Sequence, residues 1–170
     1  VQKSKNSPAK ELLDISLDAE EYTVTFVANG QTVTRKALFD WSKEDNERIR
    51  YYSGTAIYKT TFPWKYKEQK DRQAYLHLGT VYNLATVRVN GIDCGTVWTA
   101  PYRADITAAL KKGTNELEIE VTNTWANALK GTDEGKAPFE GIWTNAKYRK
   151  QENTLLPGGL LGPLYLEQSN

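Results

Sequence analysis

The chain has 170 residues and carries 22 Lys and Arg against 21 Asp and Glu, so its net charge of +1 lacks the basic footprint that nucleic acid or an anionic membrane surface requires. Its 39% hydrophobic and 25% charged residues belong to a folded globular chain, and no apolar run approaches the roughly 18 residues of a membrane helix. A single Cys94 excludes an internal disulfide, while five Trp and ten Tyr suit either a β-sheet core or a surface that stacks on sugar rings.

Residues 1–19 read as a lead-in or linker. The opening "VQKSKNSPAKELLD" is polar and has no apolar signal core, as expected of a processed or excised N-terminus. One short apolar patch follows at Leu12, Leu13, Ile15 and Leu17. From residue 20 to 170 the pattern predicts a single domain. "EYTVTFVANGQTVTRKAL" alternates, with Tyr22, Val24 and Phe26 on one face, and Asn29-Gly30 supplies a hairpin turn. "FDWSKEDNERIRYYSG" breaks the alternation and reads as a loop or short helical turn, with Trp41 a core or corner residue.

"TAIYKTTFPW" resumes as a strand that Pro63 ends or marks as an edge. The solvated connector "KYKEQKDRQ" leads to strands in "AYLHLGTV" and "ATVRVNG". "VRVNGIDCGTVW" folds back on itself around Asn90-Gly91, with Val87 and Val89 inward, Arg88 outward and Gly95 placed for a bulge. "DITAALKKG" predicts one helical turn capped by Asp105 or Thr107. "NELEIEVTNTW" alternates through Leu117, Ile119 and Val121, with Glu116, Glu118 and Glu120 on its outer face. The long stretch "ANALKGTDEGKAPFEGIWTNAKYRKQENT" reads as irregular, and "LLPGGLLGPLYLEQ" as a Gly/Pro-hinged final strand. About eight or nine short strands with almost no helix predict an all-β fold, an antiparallel β-sandwich or jelly roll.

Catalytic chemistry finds little purchase. His77 is the only histidine, and it lies in the strand "YLHLG" between two leucines, where it faces solvent or bonds a neighbour. One His and one Cys do not make a transition-metal site, and no glycine-rich loop joins a strand to a helix as a phosphate cradle would. Glycoside hydrolysis needs only two apposed carboxylates, but the acidic residues here sit in polar runs or at turns, the positions of solvated faces and caps. The sequence therefore predicts no catalytic residue. A structural calcium ion fits the general chemistry of sandwich domains, which build such sites from scattered oxygens, but no ligand stands out.

Four segments in order, "SGTAIYKTTF", "LHLGTVYNLATVRVNGIDCGTVW", "YRADITAALKKGTNELEIEVTNTW" and "LLPGGLLGPLYL", carry a resemblance over roughly residues 22–167. They resemble the galactose-binding-like β-sandwich, or sugar-binding domain, of glycoside hydrolase family 2. The likeness is closer still to the C-terminal domain of family 106 α-L-rhamnosidase-like proteins. The resemblance implies a jelly roll without catalytic residues, since catalysis in such enzymes belongs to a separate barrel domain. It also implies a secreted context of polysaccharide degradation, in the periplasm or at the surface of a bacterium.

Two roles follow for such a module. It packs on a glycosidase catalytic domain, or it binds carbohydrate, in the limit as a free-standing module for plant or host glycans. Three places offer the aromatic and polar groups for sugar contacts: Trp98, Tyr102 and Arg103 after the hairpin; Trp125 with Asn123 and Asn127; and Trp143 with Asn145 and Arg149. "RYYSG" (Arg50, Tyr51, Tyr52) is a further candidate surface for meeting a catalytic domain. Oligomeric state and sugar identity leave no mark in the sequence.

Overall fold

The computed structural model describes residues 13–18, 20–65, 73–145 and 154–169. Its larger sheet has six strands. The hairpin of β2 (Tyr22–Phe26) and β3 (Gln31–Arg35) forms one side, and β4 (Thr55–Trp64) and β10 (Gly113–Thr122) form the centre. The hairpin of β7 (Leu84–Val89) and β8 (Ile92–Val97) completes it, in the order β3-β2-β4-β10-β7-β8. The second sheet has four strands, β1 (Leu13–Ser16), β12 (Tyr165–Ser169), β5 (Gln73–His77) and β9 (Arg103–Asp105), ordered β1-β12-β5-β9. A short pair, β6 (Thr80–Tyr82) with β11 (Gly159–Gly162), bridges them, and every ladder is antiparallel. This is the β-sandwich that the alternation predicted, with Tyr22, Val24 and Phe26 sealed from solvent and facing Leu76 and Leu166 in one core.

The local predictions hold where turn chemistry is explicit. Asn90 takes φ 52° and Gly91 φ 78°, the left-handed pair that a two-residue hairpin needs. The β7–β8 register shifts between Thr86 and Arg88, so Cys94 and Gly95 stand opposite Val87 alone as a bulge. Asp105 accepts from the amide and hydroxyl of Thr107 just before a single 3-10 turn at Thr107–Ala109, whose N-cap position is Ile106, without a side-chain cap. Although β4 is central, β2 pairs with it only from Ala56 to Lys59, so at Pro63 only β10 flanks it, the open side a proline tolerates.

Four features depart from the sequence reading. There are twelve strands among the described residues, because Gly and Pro residues split runs that read as one, as at Gly162-Pro163 between β11 and β12. The expected boundary at residue 19 falls inside packed structure: β1 pairs with β12, the Leu17 amide bonds the Leu164 carbonyl at 2.8 Å, and Leu17 is buried. The signal was the alternation of Leu13, Ile15 and Leu17 with Asp14, Ser16 and Asp18. The "RYYSG" tyrosines are core residues, Tyr52 fully and Tyr51 almost fully buried, and no surface. Arg50 is held by the carbonyls of Glu44 and Asp45, beside the one-turn helix α1 (Glu47–Arg50).

The fourth departure is a two-turn helix, α2 (Ala126–Asp133), within the segment read as irregular. Gly135 at φ 73° ends it, with the Gly135 amide bonded to the Thr132 carbonyl and the Lys136 amide to that of Gly131. Gly131 in its interior masked the helical signal. A Cβ there would stand 2.9 Å from the Tyr51 Cβ and 2.8 Å from the Lys136 carbonyl oxygen, so glycine allows the helix to lie flat on the core. The connector "KYKEQKDRQ" lies largely outside the described residues.

The closing segment crosses the core at Trp41, which is buried and donates its indole N–H to the Tyr58 hydroxyl at 2.7 Å. The same hydroxyl accepts the Leu160 amide at 3.2 Å. Burial pushes the Tyr58 phenol well above its ordinary 10.0. Tyr58→Phe should leave two buried N–H donors unpaired and, at about 1–3 kcal/mol per stranded group, lower unfolding free energy by about 2–4 kcal/mol in urea titrations. Gly131→Ala should also destabilise the fold, by about 1–3 kcal/mol, because overpacking against Tyr51 outweighs the gain of ~1 kcal/mol in helix propensity. A rise in thermal midpoint for Gly131→Ala would show that α2 does not need that close approach.

Candidate functional site

The five tryptophans separate by exposure. Trp98, Trp125 and Trp143 are 68%, 58% and 80% exposed, whereas Trp41 and Trp64 are buried. A soluble surface seldom leaves three indoles in water without use, since burying each removes a large apolar area from solvent.

The first candidate group is dispersed by the fold. Trp98 leaves β8 just beyond Val97, which pairs with Ala85, and so stands beside the exposed Leu84 at the end of the six-stranded sheet. Tyr102 turns its ring against the core, and its carbonyl accepts the Leu78 amide at 2.9 Å. Arg103, on β9 of the other sheet, lays its guanidinium 4.1 Å from the centre of the Tyr75 ring. Only Trp98 of the three is thus an unengaged aromatic.

The second and third groups converge. Trp125 stands at the N-terminal end of α2, and Trp143 lies in the irregular stretch that follows the helix. Both line one cleft of about 440 Å³ together with Leu129, Gly141, Ile142 and Thr144. Phe139 supports it from below: its ring meets Trp125 edge-on at 6.1 Å and the buried Tyr52 at 6.0 Å. Asn145, next in the chain after Thr144, is exposed, and Arg149 lies outside the described residues.

The two asparagines read as sugar partners of Trp125 are structural instead. Asn127 is buried, donating to the Leu156 carbonyl at 2.7 Å and accepting the Leu156 amide at 2.9 Å. Asn123 accepts the Gly54 amide and donates to the Tyr52 carbonyl. In both, the amide satisfies backbone far away in sequence, which local pattern does not reveal.

Sequence reading also missed a second cleft, of about 710 Å³, walled by Asn29, Arg48, Thr132, Phe139 and Glu140. The charge run "KEDNERIR" and the loop "APFEG" gave no sign that they meet. Asn29 joins them, donating to the carbonyls of Arg48 at 2.8 Å and Pro138 at 3.3 Å.

The acidic residues gather elsewhere. On the outer face of the large sheet Arg88 bridges Glu118 at 3.2 Å and Glu120 at 2.5 Å, and Lys59 meets Glu118 at 3.2 Å. These carboxylates are neutralised by cations on a solvated face, the outward placement that their alternation predicted. His77 shares a 2.5 Å contact with Glu167 and stacks on Tyr165 at 4.5 Å. Among the described residues no group of three or more His, Cys, Asp or Glu converges as metal ligands would, and no ligand is assigned to a calcium ion.

With this geometry in hand, similarity to known proteins places the chain. It is 36% identical over 174 residues to a protein of Formosa agariphila named "Putative beta-glucuronidase", covering 86% of this chain but 15% of that protein. The rhamnosidase of Novosphingobium sp. PP1Y superposes over 98% of this chain and 16% of its own, with a TM-score of 0.83 and 35% identity. A β-glucuronidase of Ruminococcus gnavus, at 18% identity and a TM-score of 0.64, shares the fold over 99% of this chain and 30% of its own. The chain therefore spans about one sixth of the length of these two relatives. The family model for the glycosyl hydrolase 2 galactose-binding domain-like fold matches residues 31–155, and the chain belongs to that family.

Proposed function

We propose that this domain is an accessory module of a longer, exported glycoside hydrolase, one that packs on a catalytic domain and holds carbohydrate in the Trp125–Trp143 cleft. The observation that carries the reading is the meeting of two exposed indoles in one cleft of about 440 Å³, a volume within the range of small-ligand sites. A pyranose presents an apolar C–H face and a rim of hydroxyls. Indole faces accept the first without hydrogen bonds of their own, and the exposed Asn145 amide suits the second.

Packing on a catalytic domain draws support from the opposite flank of the same end. The exposed Trp98 and Leu84 each lie one residue beyond the last β7–β8 pair, Ala85 with Val97, and covering an indole there contributes about 1.5–3 kcal/mol to an interface. The relatives are long enough to hold such a domain, since this chain accounts for 15% and 16% of two of them. Polymeric glycans lie outside the cell, so the reading places the enzyme in the periplasm or at the cell surface.

Titration calorimetry with galactose- and rhamnose-containing oligosaccharides tests the cleft. Trp125→Ala and Trp143→Ala should each weaken binding at least about tenfold, ~1.4 kcal/mol, while changing unfolding free energy by less than about 1 kcal/mol because both side chains are exposed. Trp98→Ala should leave sugar binding intact. Asn127→Ala should instead destabilise the fold by about 1–3 kcal/mol through the unpaired Leu156 backbone. Absence of binding at millimolar sugar would remove the carbohydrate role and leave packing alone.

A further inference from the structure

The Trp125–Trp143 cleft continues beyond its indoles. Gly141 and Ile142 line it and also line the larger cleft of about 710 Å³, so the two form one groove. Along that groove the chemistry changes from aromatic to polar. The second part is lined by Phe139 together with the polar residues Arg48, Glu140 and Thr132.

Those polar groups are largely unspent. The Arg48 guanidinium donates once, to the Asn29 carbonyl at 3.3 Å, and meets no carboxylate within ion-pair reach among the described residues. Glu140 is exposed and has no hydrogen bond or ion pair among them. Thr132 donates to the Ala128 carbonyl at 2.9 Å and keeps its lone pairs free to accept. The wall itself is braced, because Asn29 uses its amide fully on Arg48, Pro138 and the Gln31 amide. A braced wall with idle donors and acceptors loses little freedom when a ligand binds.

We infer that the groove is a two-part site for a neutral oligosaccharide: Trp125 and Trp143 stack on one sugar ring, and Arg48 with Glu140 hydrogen-bonds the hydroxyls of the adjoining ring. This rests on the carbohydrate reading of the indole cleft and extends it. A guanidinium and a carboxylate that line one cleft without pairing to each other suit a diol, which both donates and accepts. A uronate or sulfate would gain from Arg48 and be repelled by Glu140, so a neutral ring fits the pair better.

The test is calorimetric titration of the 170-residue chain with galactose, L-rhamnose and neutral oligosaccharides of two to four units that contain them. The chain should bind the oligosaccharides about tenfold or more tightly than the single sugars, the worth of two or so added hydrogen bonds. Arg48→Ala and Glu140→Gln should erase most of that gain yet leave single-sugar affinity and thermal midpoint unchanged. Trp125→Ala should weaken every ligand. A wild-type chain with no gain from length, or a gain that survives both polar variants, would overturn the second subsite and leave the indole cleft standing. Preference for uronate-bearing over neutral oligosaccharides would overturn the neutral-ligand assignment, and binding of no sugar at all would sink both readings.

Discussion

The packing of the closing segment across Trp41 is the constraint on which the rest of this molecule depends. Gly158 and Gly159 pass so close to the indole that a Cβ on Gly159 would lie 2.5 Å from Nε1 and one on Gly158 3.1 Å from the ring. The contact is locked by hydrogen bonds on both sides. Trp41 donates its amide to the Gly158 carbonyl at 3.0 Å, and Asp40 accepts the Gly158 amide at 3.1 Å. With Tyr58 binding both the indole and the Leu160 amide, two distant parts of the chain share one buried polar centre. In a low-dielectric core an unpaired donor is costly, so these bonds select one crossing of the closing segment and reject its neighbours.

The site inherits its rigidity from that crossing. Once Gly158 is fixed, Leu156 lies where it can exchange two hydrogen bonds with Asn127, and α2 is thereby tied to the closing segment. On its other side the helix rests on Tyr51 through Gly131, and the Tyr51 hydroxyl donates to Glu134 at 2.7 Å. A chain of edge-on rings then leads outward: Trp41 to Tyr52 at 5.7 Å, Tyr52 to Phe139 at 6.0 Å, Phe139 to Trp125 at 6.1 Å. Trp125 is therefore an exposed indole seated on the aromatic core. An indole held in this way would give up little entropy if it were covered.

Alternation and turn residues made the scaffold readable before any coordinates. Asn90-Gly91, Gly95 and the run from Leu117 to Val121 announce their conformations through local chemistry alone. Helix α2 was hidden because Gly131, required by Tyr51, lowers helical propensity at the point where tertiary contact demands it. The site was readable only as a set of indoles. Nothing local distinguishes Trp125 from Trp41, since exposure is decided by which chain segments close over each ring. The error at Asn127 has the same root. An amide beside a tryptophan looks like a sugar ligand until the segment that satisfies it, Leu156, is folded across from far along the chain. Arg48 and Glu140 come together by the same long-range route, so no motif could join them.

The division of labour between the face and the end of the sandwich follows from where charge is satisfied. On the outer face of the large sheet, Lys59, Arg88, Glu118 and Glu120 pair across β4, β10 and β7, and threonine hydroxyls pair beside them, as at Thr86–Thr96 and Thr55–Thr122. Such a face is content in water: a ligand or partner there would have to replace bonds already made. At the end near Trp98, Trp125 and Trp143 the balance reverses, because exposed indoles and an unpaired Arg48–Glu140 wall gain by being covered. The groups that the fold leaves unsatisfied therefore gather at the end of the sheets, where loops rather than strands set the chemistry. Relatives that keep the same sandwich can change what they contact by changing those loops, with the core at Trp41 left as it is.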